Sequence, residues 1–148
     1  MRVVVQRVSR GQVSIDGEVT GAIGVGLVAL LGVHVDDDEK AVRFCAEKCV
    51  NLRVFADSKG RMNRSLLEVS GEVLAVSQFT LLGECRQGRR PSFVSAAPPE
   101  RAELLYEQFI AIVESHGVVV ERGVFGAMMK VEIDNDGPVT LIIEDPPK

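Results

Sequence analysis

Two polar segments of the sequence, each joined to an apolar run, carry groups that could bind a carbonyl compound. Ser77-Gln78-Phe79-Thr80 follows the apolar run Gly71 to Val76, and Asn135-Asp136-Gly137-Pro138-Val139-Thr140 precedes the run Leu141 to Ile143. A strand that ends in hydroxyls, an amide side chain and backbone N–H groups can hold a carbonyl oxygen. A Gly-Pro step can present two carbonyl oxygens on one side if its peptide is cis. We therefore interpret the two segments as one site that binds an acyl ester.

The first segment offers the parts of an oxyanion hole. Backbone N–H groups of Phe79 and Thr80 could donate hydrogen bonds to an ester carbonyl as its oxygen becomes negative. The side chains of Ser77, Gln78 and Thr80 could hold these donors in place or contact the substrate. Thr80 could instead attack directly, but no base lies beside it in the sequence, and a threonine hydroxyl without a base is a poor nucleophile. From this segment alone, polar side chains that merely decorate a strand end are the simpler interpretation.

The second segment places Pro138 where a strand begins. Proline fits this position because it loses no hydrogen bond of the ladder there. Since cis bonds are only about 5–6% of X-Pro bonds in folded proteins, statistics alone favour a trans peptide between Gly137 and Pro138.

Familiar catalytic motifs are missing from the sequence. It contains no GxSxG, no HExxH and no P-loop. A Ser-His-Asp arrangement is disfavoured, since His34 ends an apolar run and His116 lies in the last turn of an expected helix, where the helix dipole explains it. Cys45 and Cys49, four residues apart on another expected helix, could form a two-thiolate metal site, but we interpret them as core thiols. We expect neither a metal nor a cofactor.

Length and composition indicate one soluble domain over residues 1–148. The sequence is 46% hydrophobic and 26% charged, and no apolar stretch approaches the ~20 residues that span a bilayer. The start of the chain lacks a signal-peptide pattern, and three cysteines suit a reducing compartment. We therefore expect a cytoplasmic protein with no membrane partner.

The net charge of −4 argues against wholesale coating of a nucleic acid, although it leaves room for a local basic patch. Arg86, Arg89 and Arg90 form one cluster, and Lys59, Arg61 and Arg64 form a second. Taken alone, such clusters are typical of solvated loops.

The pattern of apolar residues predicts two helices and roughly seven strands. Asp16-Gly17 predicts a two-residue hairpin, and the apolar run 26–35 predicts a strand buried on both faces. Residues 37–51 have helical spacing, and a second helix is expected to begin at Pro98-Pro99 and to end at Gly117. Further strands are predicted over 72–82, 118–120, 130–133 and 139–143, with a loose tail over 145–148. We predict an α+β fold: a strongly curved, mainly antiparallel sheet or partly closed β-barrel with two helices packed on it.

These segments resemble one family along the whole chain, the D-aminoacyl-tRNA deacylases. The motifs that carry the resemblance are Met1-Arg2-Val3-Val4-Val5-Gln6-Arg7-Val8, Leu30-Leu31-Gly32-Val33, Gly60-Arg61-Met62-Asn63, Val76-Ser77-Gln78-Phe79-Thr80-Leu81, Gly88-Arg89-Arg90-Pro91-Ser92-Phe93, Phe125-Gly126-Ala127 and Asn135-Asp136-Gly137-Pro138-Val139-Thr140. The Ser-Gln-Phe-Thr and Asn-Xaa-Gly-Pro-Val-Thr motifs at this separation are highly specific. Glu84-Cys85-Arg86-Gln87 and Met128 depart from the family pattern, which affects expected tRNA contacts of the loop rather than the central site.

The resemblance implies a homodimer that hydrolyses the ester of D-aminoacyl-tRNA, and also of glycyl-tRNA(Ala). It implies that Gly137-Pro138 is cis, enters the partner's pocket beside Ser77-Gln78-Phe79-Thr80, and rejects L-aminoacyl groups by steric clash. In this hypothesis the Phe79 N–H is the oxyanion donor, and the substrate's ribose 2′-hydroxyl assists proton transfer.

Supporting roles follow from the same resemblance. Asn135 would support the Gly-Pro loop, and Arg7 would brace it, although a surface salt bridge is an equal interpretation of Arg7. Arg86, Arg89 and Arg90 would contact tRNA phosphates.

Three alternatives stay open at this point. A sister deacylase with a trans Gly-Pro step would clear mischarged L-alanyl-tRNA. A non-catalytic module would bind tRNA without releasing the amino acid. A general esterase would cleave simple esters that lack adenosine.

Overall fold

The computed structural model describes residues 1–145, so Pro146 to Lys148, where most of the loose tail was predicted, lie outside the described residues. The strands are β1 (Arg2–Ile15), β2 (Glu18–Ile23), β3 (Gly26–Gly32), β4 (Arg53–Ala56), β5 (Met62–Ser65), β6 (Glu72–Ser77), β7 (Val120–Arg122) and β8 (Lys130–Glu144). The α-helices are α1 (Glu39–Asn51) and α2 (Pro99–Ser115), and a short 3₁₀ helix spans Phe79–Leu82. Over the described residues no helix is both long and apolar enough to cross a membrane.

The main sheet is organised around the long strand β1. Its order is β2-β1-β3-β6-β7, and β8 runs antiparallel along β1 from Arg2↔Glu144 to Ser14↔Lys130. The edge strands β2 and β7 approach so closely that a Cβ on Gly21 would lie 2.6 Å from the carbonyl oxygen of Arg122. The predicted α+β fold, with two helices and a nearly closed, barrel-like sheet, is confirmed. The parallel pairing of β3 with β6 and of β6 with β7 was not anticipated.

The sheet buries side chains on both of its faces. One cluster lies between the sheet and the two helices, and it includes Cys45 and Cys49 of α1 together with Tyr106 and Phe109 of α2. Since both thiols are fully buried among apolar side chains, their interpretation as core residues is confirmed. A smaller cluster fills the inside of the curved sheet, with Val8, Val13, Ile23, Val28, Leu74 and Val76.

Local signals in the sequence explain several element boundaries. Asp16 and Gly17 both have positive φ angles, 48° and 82°, as a two-residue turn between β1 and β2 requires. The side chain of Asp38 accepts a hydrogen bond from the N–H of Ala41 and so caps α1. Pro99 occupies the first turn of α2, where its missing N–H costs no hydrogen bond.

Several predicted boundaries were wrong. The strand predicted over 26–35 is β3, which ends at Gly32. The strand predicted over 72–82 ends at Ser77, because the chain then turns into the 3₁₀ helix. The strand predicted over 118–120 is β7, Val120–Arg122. The two strands predicted over 130–133 and 139–143 form the single strand β8.

β8 is interrupted by a bulge. Asn135 pairs with Val8 and Thr140 pairs with Gln6, so residues 136–139 stand opposite Arg7 alone in this ladder of the described chain. We call residues 136–139 the Gly-Pro bulge, and it carries the second predicted motif away from the sheet.

Candidate active site

The Ser77-Gln78-Phe79-Thr80 segment forms a tight turn at the end of β6. The N–H of Gln78 still donates to the carbonyl oxygen of Leu31 on β3 at 2.7 Å, and the N–H of Leu81 then donates to the carbonyl oxygen of Gln78 at 3.2 Å. Because the first N–H groups of a helical turn have no acceptor within that turn, those of Phe79 and Thr80 are open to a ligand. The turn therefore leaves these two N–H groups without an acceptor inside it, and their role as oxyanion donors stays a prediction.

Gly32 allows this turn to lie against β3. A Cβ at this position would stand 2.4 Å from Cδ2 of Leu82 and 3.2 Å from the carbonyl oxygen of Gln78. Any side chain at residue 32 would push the turn away from the strand. The glycine thus sets the position of the two donors.

The side chains of the turn contact one another. The Nε2 of Gln78 donates to the Oγ1 of Thr80 at 3.2 Å. The ring of Phe79, which is 56% exposed, meets the ring of Phe93 edge to face at a centroid distance of 5.1 Å. A carboxamide that donates to Thr80 cannot also take its proton, so this contact does not activate the hydroxyl as a nucleophile.

A pocket of about 740 Å³ opens beside the turn, which is within the range of small-molecule sites. Its other lining residues are Leu31, Val33, Val76, Phe93, Ala96, Ala97, Pro98, Pro99, Ala102, Tyr106, Phe125, Gly126, Ala127, Met128, Met129 and Val131. The lining is mainly apolar and aromatic, so it suits a flat or apolar group next to the polar turn. The sequence analysis did not predict this apolar and aromatic wall of the pocket. The available signals for it were Pro98-Pro99 and Phe125-Gly126-Ala127.

Tyr106 belongs to that wall as a neutral group. Its hydroxyl donates to the carbonyl oxygen of Ala75 at 3.0 Å, and burial raises its pKa to about 12. A phenol with this pKa and a satisfied hydrogen bond is a poor acid or base near neutral pH. Tyr106 therefore shapes the pocket instead of exchanging protons.

The Gly-Pro bulge lies away from this pocket in its own chain. The peptide bond between Gly137 and Pro138 is cis, as the resemblance implied, so the trans interpretation from statistics was wrong. Both residues are exposed, and neither lines the pocket. Within one chain the structure does not bring the two predicted motifs together.

Arg7 and Asn135 hold the Gly-Pro bulge by different contacts. The Nε of Arg7 donates to the carbonyl oxygen of Asp136 at 2.8 Å, and its Nη1 donates to that of Val54 at 2.7 Å. The Oδ1 of Asn135 accepts from the N–H of Val139 at 2.8 Å, while its Nδ2 donates to the carbonyl oxygen of Val139 and to the Oγ1 of Thr140. These side chains cross-link both ends of the bulge; their functional role stays a prediction.

The arginine cluster Arg86, Arg89 and Arg90 lies on an exposed loop next to the pocket but lines none of it. Glu84 and Ser92 close the loop through two backbone hydrogen bonds, and the ring of Phe93 follows directly. Arg86 lies 3.8 Å from the carboxylate of Glu84. Among residues 1–145, no group of three or more His, Cys, Asp or Glu side chains is arranged to hold a metal ion.

Comparison with known proteins shows which family this chain belongs to. Residues 4–144 match the sequence profile of the D-Tyr-tRNA(Tyr) deacylase family. The chain belongs to this family. The resemblance predicted from the motifs, and with it the expected class of enzyme, is confirmed.

Individual relatives match over nearly the full chain. A protein of Shouchella clausii named D-aminoacyl-tRNA deacylase is 56% identical over 144 residues, 97% of this chain and 99% of that protein. A Thermus aquaticus protein of the same name is 56% identical over 148 residues, 100% of this chain and 97% of that protein.

Solved structures match as well. One named c-Myc DNA Unwinding Element Binding Protein superposes with a TM-score of 0.93 at 41% identity, covering 99% of this chain and all of the other. A probable eukaryotic D-amino acid tRNA deacylase superposes with a TM-score of 0.84 at 19% identity, covering 97% of this chain and 98% of the other, which shows the shared fold.

Proposed function

We propose that the chain hydrolyses the ester bond of D-aminoacyl-tRNA and releases the D-amino acid and the tRNA. The observation that carries this proposal is the turn at Phe79 and Thr80, whose N–H groups have no acceptor within the turn and whose residues line a mainly apolar pocket. The family and the names of relatives at 56% identity support the same activity. The polar turn suits an ester, and the aromatic wall suits the terminal adenine of the tRNA.

In the proposed reaction, water attacks the ester carbonyl carbon. Its oxygen forms the new C–O bond, the bond to the ribose 3′-oxygen breaks, and the proton passes through the vicinal 2′-hydroxyl to the leaving 3′-oxygen. The N–H of Phe79 stabilises the negative charge that develops on the carbonyl oxygen. Ser77, Gln78 and Thr80 orient the ester and the adenosine. An aminoacyl ester is already activated, so orientation and the oxyanion donor suffice.

The finer part of the proposal concerns chirality. The Gly-Pro bulge of a second copy enters the pocket, and its main-chain oxygens accept hydrogen bonds from the substrate's α-ammonium group. The same backbone leaves no room for a side chain in the L position, whereas a D side chain points outward. Glycine has no side chain to reject, so glycyl-tRNA(Ala) is hydrolysed too.

The bulge has the features that this arrangement needs. It projects from β8, it is exposed, and Arg7 and Asn135 hold its ends. Gly137 has a φ of 145°, and a Cβ there would lie 2.8 Å from Cγ2 of Val139 and 3.1 Å from Nη2 of Arg7. A larger residue would thus disturb both the backbone and its brace.

A homodimer is part of the same proposal. β8 exposes Leu141 and Ile142 directly after the bulge, and Ile142 is 65% exposed. A second copy that receives the bulge would also cover these apolar side chains.

The test is release of amino acid from charged tRNAs carrying D-tyrosine, L-tyrosine and glycine, with L-alanyl-tRNA and a simple ester without adenosine as further substrates. We expect hydrolysis of D-tyrosyl-tRNA and glycyl-tRNA, and no hydrolysis of L-tyrosyl-tRNA. Binding without release would indicate a non-catalytic module, and cleavage of L-alanyl-tRNA in place of D-tyrosyl-tRNA would indicate the sister activity. Equal cleavage of simple esters without adenosine would indicate a general esterase.

A further inference from the structure

The hairpin formed by β4 and β5 carries a concentration of positive charge that the proposed site does not use. We call residues 53–65 the basic hairpin; its cationic side chains are Arg53, Lys59, Arg61 and Arg64, all exposed. Every residue from Ser58 to Arg64 is exposed, so the tip projects into solvent. The overall charge of the protein is −4, so this surface differs in sign from the molecule as a whole.

The nearby carboxylates are engaged with the backbone. The Oδ1 of Asp57 accepts hydrogen bonds from the N–H groups of Lys59 and Arg61 at 2.8 and 3.0 Å, and these bonds lower its pKa. The Oε1 of Glu68 accepts from the N–H of Ser65 at 3.1 Å, which lowers the pKa of Glu68 in the same way. Both acids thus shape the hairpin through backbone contacts. The positive charges of Arg53 and Arg64 lower the pKa of Glu68 further, so this carboxylate offsets part of their charge.

The four cations keep most of their donors for a ligand. Within residues 1–145, no ion pair within 4.0 Å joins one of them to a carboxylate. Arg53 donates to the side-chain oxygen of Asn63, and Arg64 donates to the carbonyl oxygen of Glu68. Each guanidinium has five N–H donors in a planar arrangement that matches phosphate oxygens.

Arg7 joins the basic hairpin to the Gly-Pro bulge. Its guanidinium bonds simultaneously to the carbonyl oxygen of Val54 on β4, at 2.7 Å, and to that of Asp136 in the bulge, at 2.8 Å. The hairpin contributes no residue to the pocket of its own chain. In the proposed dimer, where the bulge enters the pocket of a second copy, we expect this link through Arg7 to bring the hairpin towards the rim of that pocket.

We propose that the basic hairpin binds phosphates of the tRNA acceptor end in trans, while the ester lies in the partner's pocket. This inference rests on the proposed function and on its dimer. The RNA chain that extends from an ester bound in the pocket must cross the rim of the pocket, where exposed cations can contact its phosphates. The bulge of one subunit then contacts the amino acid of the substrate, and the hairpin of the same subunit binds the RNA phosphates.

The first experiment compares two substrates, D-tyrosyl-tRNA and the D-tyrosyl ester of adenosine, which carries no phosphate. The variant Arg61→Ala/Arg64→Ala removes two hairpin charges, and Lys40→Ala/Arg43→Ala removes two charges from the exposed face of α1 as a matched control. We expect the hairpin variant to lower the subsaturating rate on tRNA at least about fivefold relative to its rate on the adenosine ester. Its salt dependence should become shallower by about 1 to 2 in log-log slope, and the control should leave both quantities unchanged.

The second experiment tests action in trans with heterodimers that contain one open pocket. Ala127→Trp fills the pocket of one subunit, and the hairpin variant is placed either on that subunit or on the other. If the rate on D-tyrosyl-tRNA falls only when the hairpin variant lies on the subunit with the filled pocket, the proposal is supported. Loss in the opposite arrangement, or an unchanged ratio of the two substrate rates, overturns it. If the unmodified protein cleaves neither substrate, the proposed function itself fails, which is a separate outcome.

Discussion

The guanidinium of Arg2 donates a hydrogen bond to the carbonyl oxygen of Leu81 over 2.8 Å. The same side chain forms an ion pair with Glu144 at the end of β8. The first residue of β1 thus contacts the 3₁₀ helix that presents the N–H groups of Phe79 and Thr80. In the proposed reaction such donors act only when they point at the developing oxyanion, so a distant contact that orients the turn is expected to affect the reaction rate.

Replacing Arg2 by methionine should lower the single-turnover rate constant for D-tyrosyl-tRNA while leaving KM close to its original value. The apolar stem is kept, but the hydrogen bond to Leu81 is lost, which should reduce the free energy of unfolding by about 1 kcal/mol. Single-turnover kinetics and urea unfolding measure the two effects. The control Glu144→Gln weakens the ion pair and retains the contact with Leu81, so it should preserve the rate. Equal rate losses in both variants would show that the contact with Leu81 has no specific effect on the rate, because only Arg2→Met removes it.

Asn135 should matter for stereochemical selection. Asn135→Ala removes the acceptor for the N–H of Val139 and both Nδ2 contacts, so one end of the Gly-Pro bulge loses its cross-link. We expect the ratio of D-tyrosyl-tRNA to L-tyrosyl-tRNA hydrolysis to fall and the free energy of unfolding to drop by about 1–3 kcal/mol. Asn135→Asp keeps only the acceptor for the N–H of Val139. Its ratio of D-tyrosyl-tRNA to L-tyrosyl-tRNA hydrolysis should lie between those of Asn135→Ala and the unmodified protein. A selectivity equal to that of the unmodified protein would remove Asn135 from the proposed mechanism.

Removing the Thr80 hydroxyl and the substrate's 2′-hydroxyl one at a time shows which of them the hydrolysis needs. Because the Thr80 hydroxyl accepts from the Gln78 carboxamide, which cannot act as a base, Thr80→Ala should keep most of the single-turnover rate. A tRNA ending in 2′-deoxyadenosine should be almost inert. The opposite pattern would make Thr80 the nucleophile.

The loop arginines should act on affinity, not on chemistry. Arg89→Ala/Arg90→Ala removes two exposed charges beside the pocket, so tRNA binding should weaken and its log-log salt slope should become shallower by about 1 to 2. Equilibrium binding of uncharged tRNA at several salt concentrations measures this. A salt dependence identical to that of the unmodified protein would contradict a phosphate contact by this loop.

Local chemistry allowed much of the fold to be predicted from the sequence. Asp16-Gly17 specified a hairpin because few other pairs accept two positive φ angles, and the helical spacing of Ala41, Cys45 and Cys49 marked the buried face of α1. The 3₁₀ helix after Ser77 was missed because Phe79–Leu82 has the composition of a strand. Its conformation depends on contact with Gly32, 47 or more residues earlier in the sequence.

The candidate site was predicted only on its polar side. Ser77-Gln78-Phe79-Thr80 stood out because hydroxyl and amide groups followed an apolar strand. The apolar wall is built by Tyr106 and, among residues after β7, by Phe125, Ala127, Met128, Met129 and Val131, whose side chains resemble those of any core. Long-range packing, including the parallel pairing of β3 with β6, brings them together, and no local pattern records that pairing.

Buried thiols should make the protein less stable in alkali. Burial raises the pKa of Cys45 and of Cys49 from 9.0 to about 12. Below pH 9 both thiols stay protonated in the folded and the unfolded chain; between pH 9 and 12 only the unfolded chain loses these protons. The free energy of unfolding should therefore fall with rising pH in that range, by up to about 1.4 kcal/mol per pH unit for each thiol.

Urea unfolding at pH 8, 9.5 and 10.5 tests this linkage. Cys49→Ala should be less stable than the unmodified protein at pH 8 because it leaves a small cavity, yet its stability should depend less steeply on pH. Cys85→Ala, which changes an exposed thiol, should reproduce the original pH dependence. If Cys49→Ala and Cys85→Ala show the same slope, deprotonation of the buried thiol does not drive the alkaline loss, because the two variants differ in whether that thiol is present.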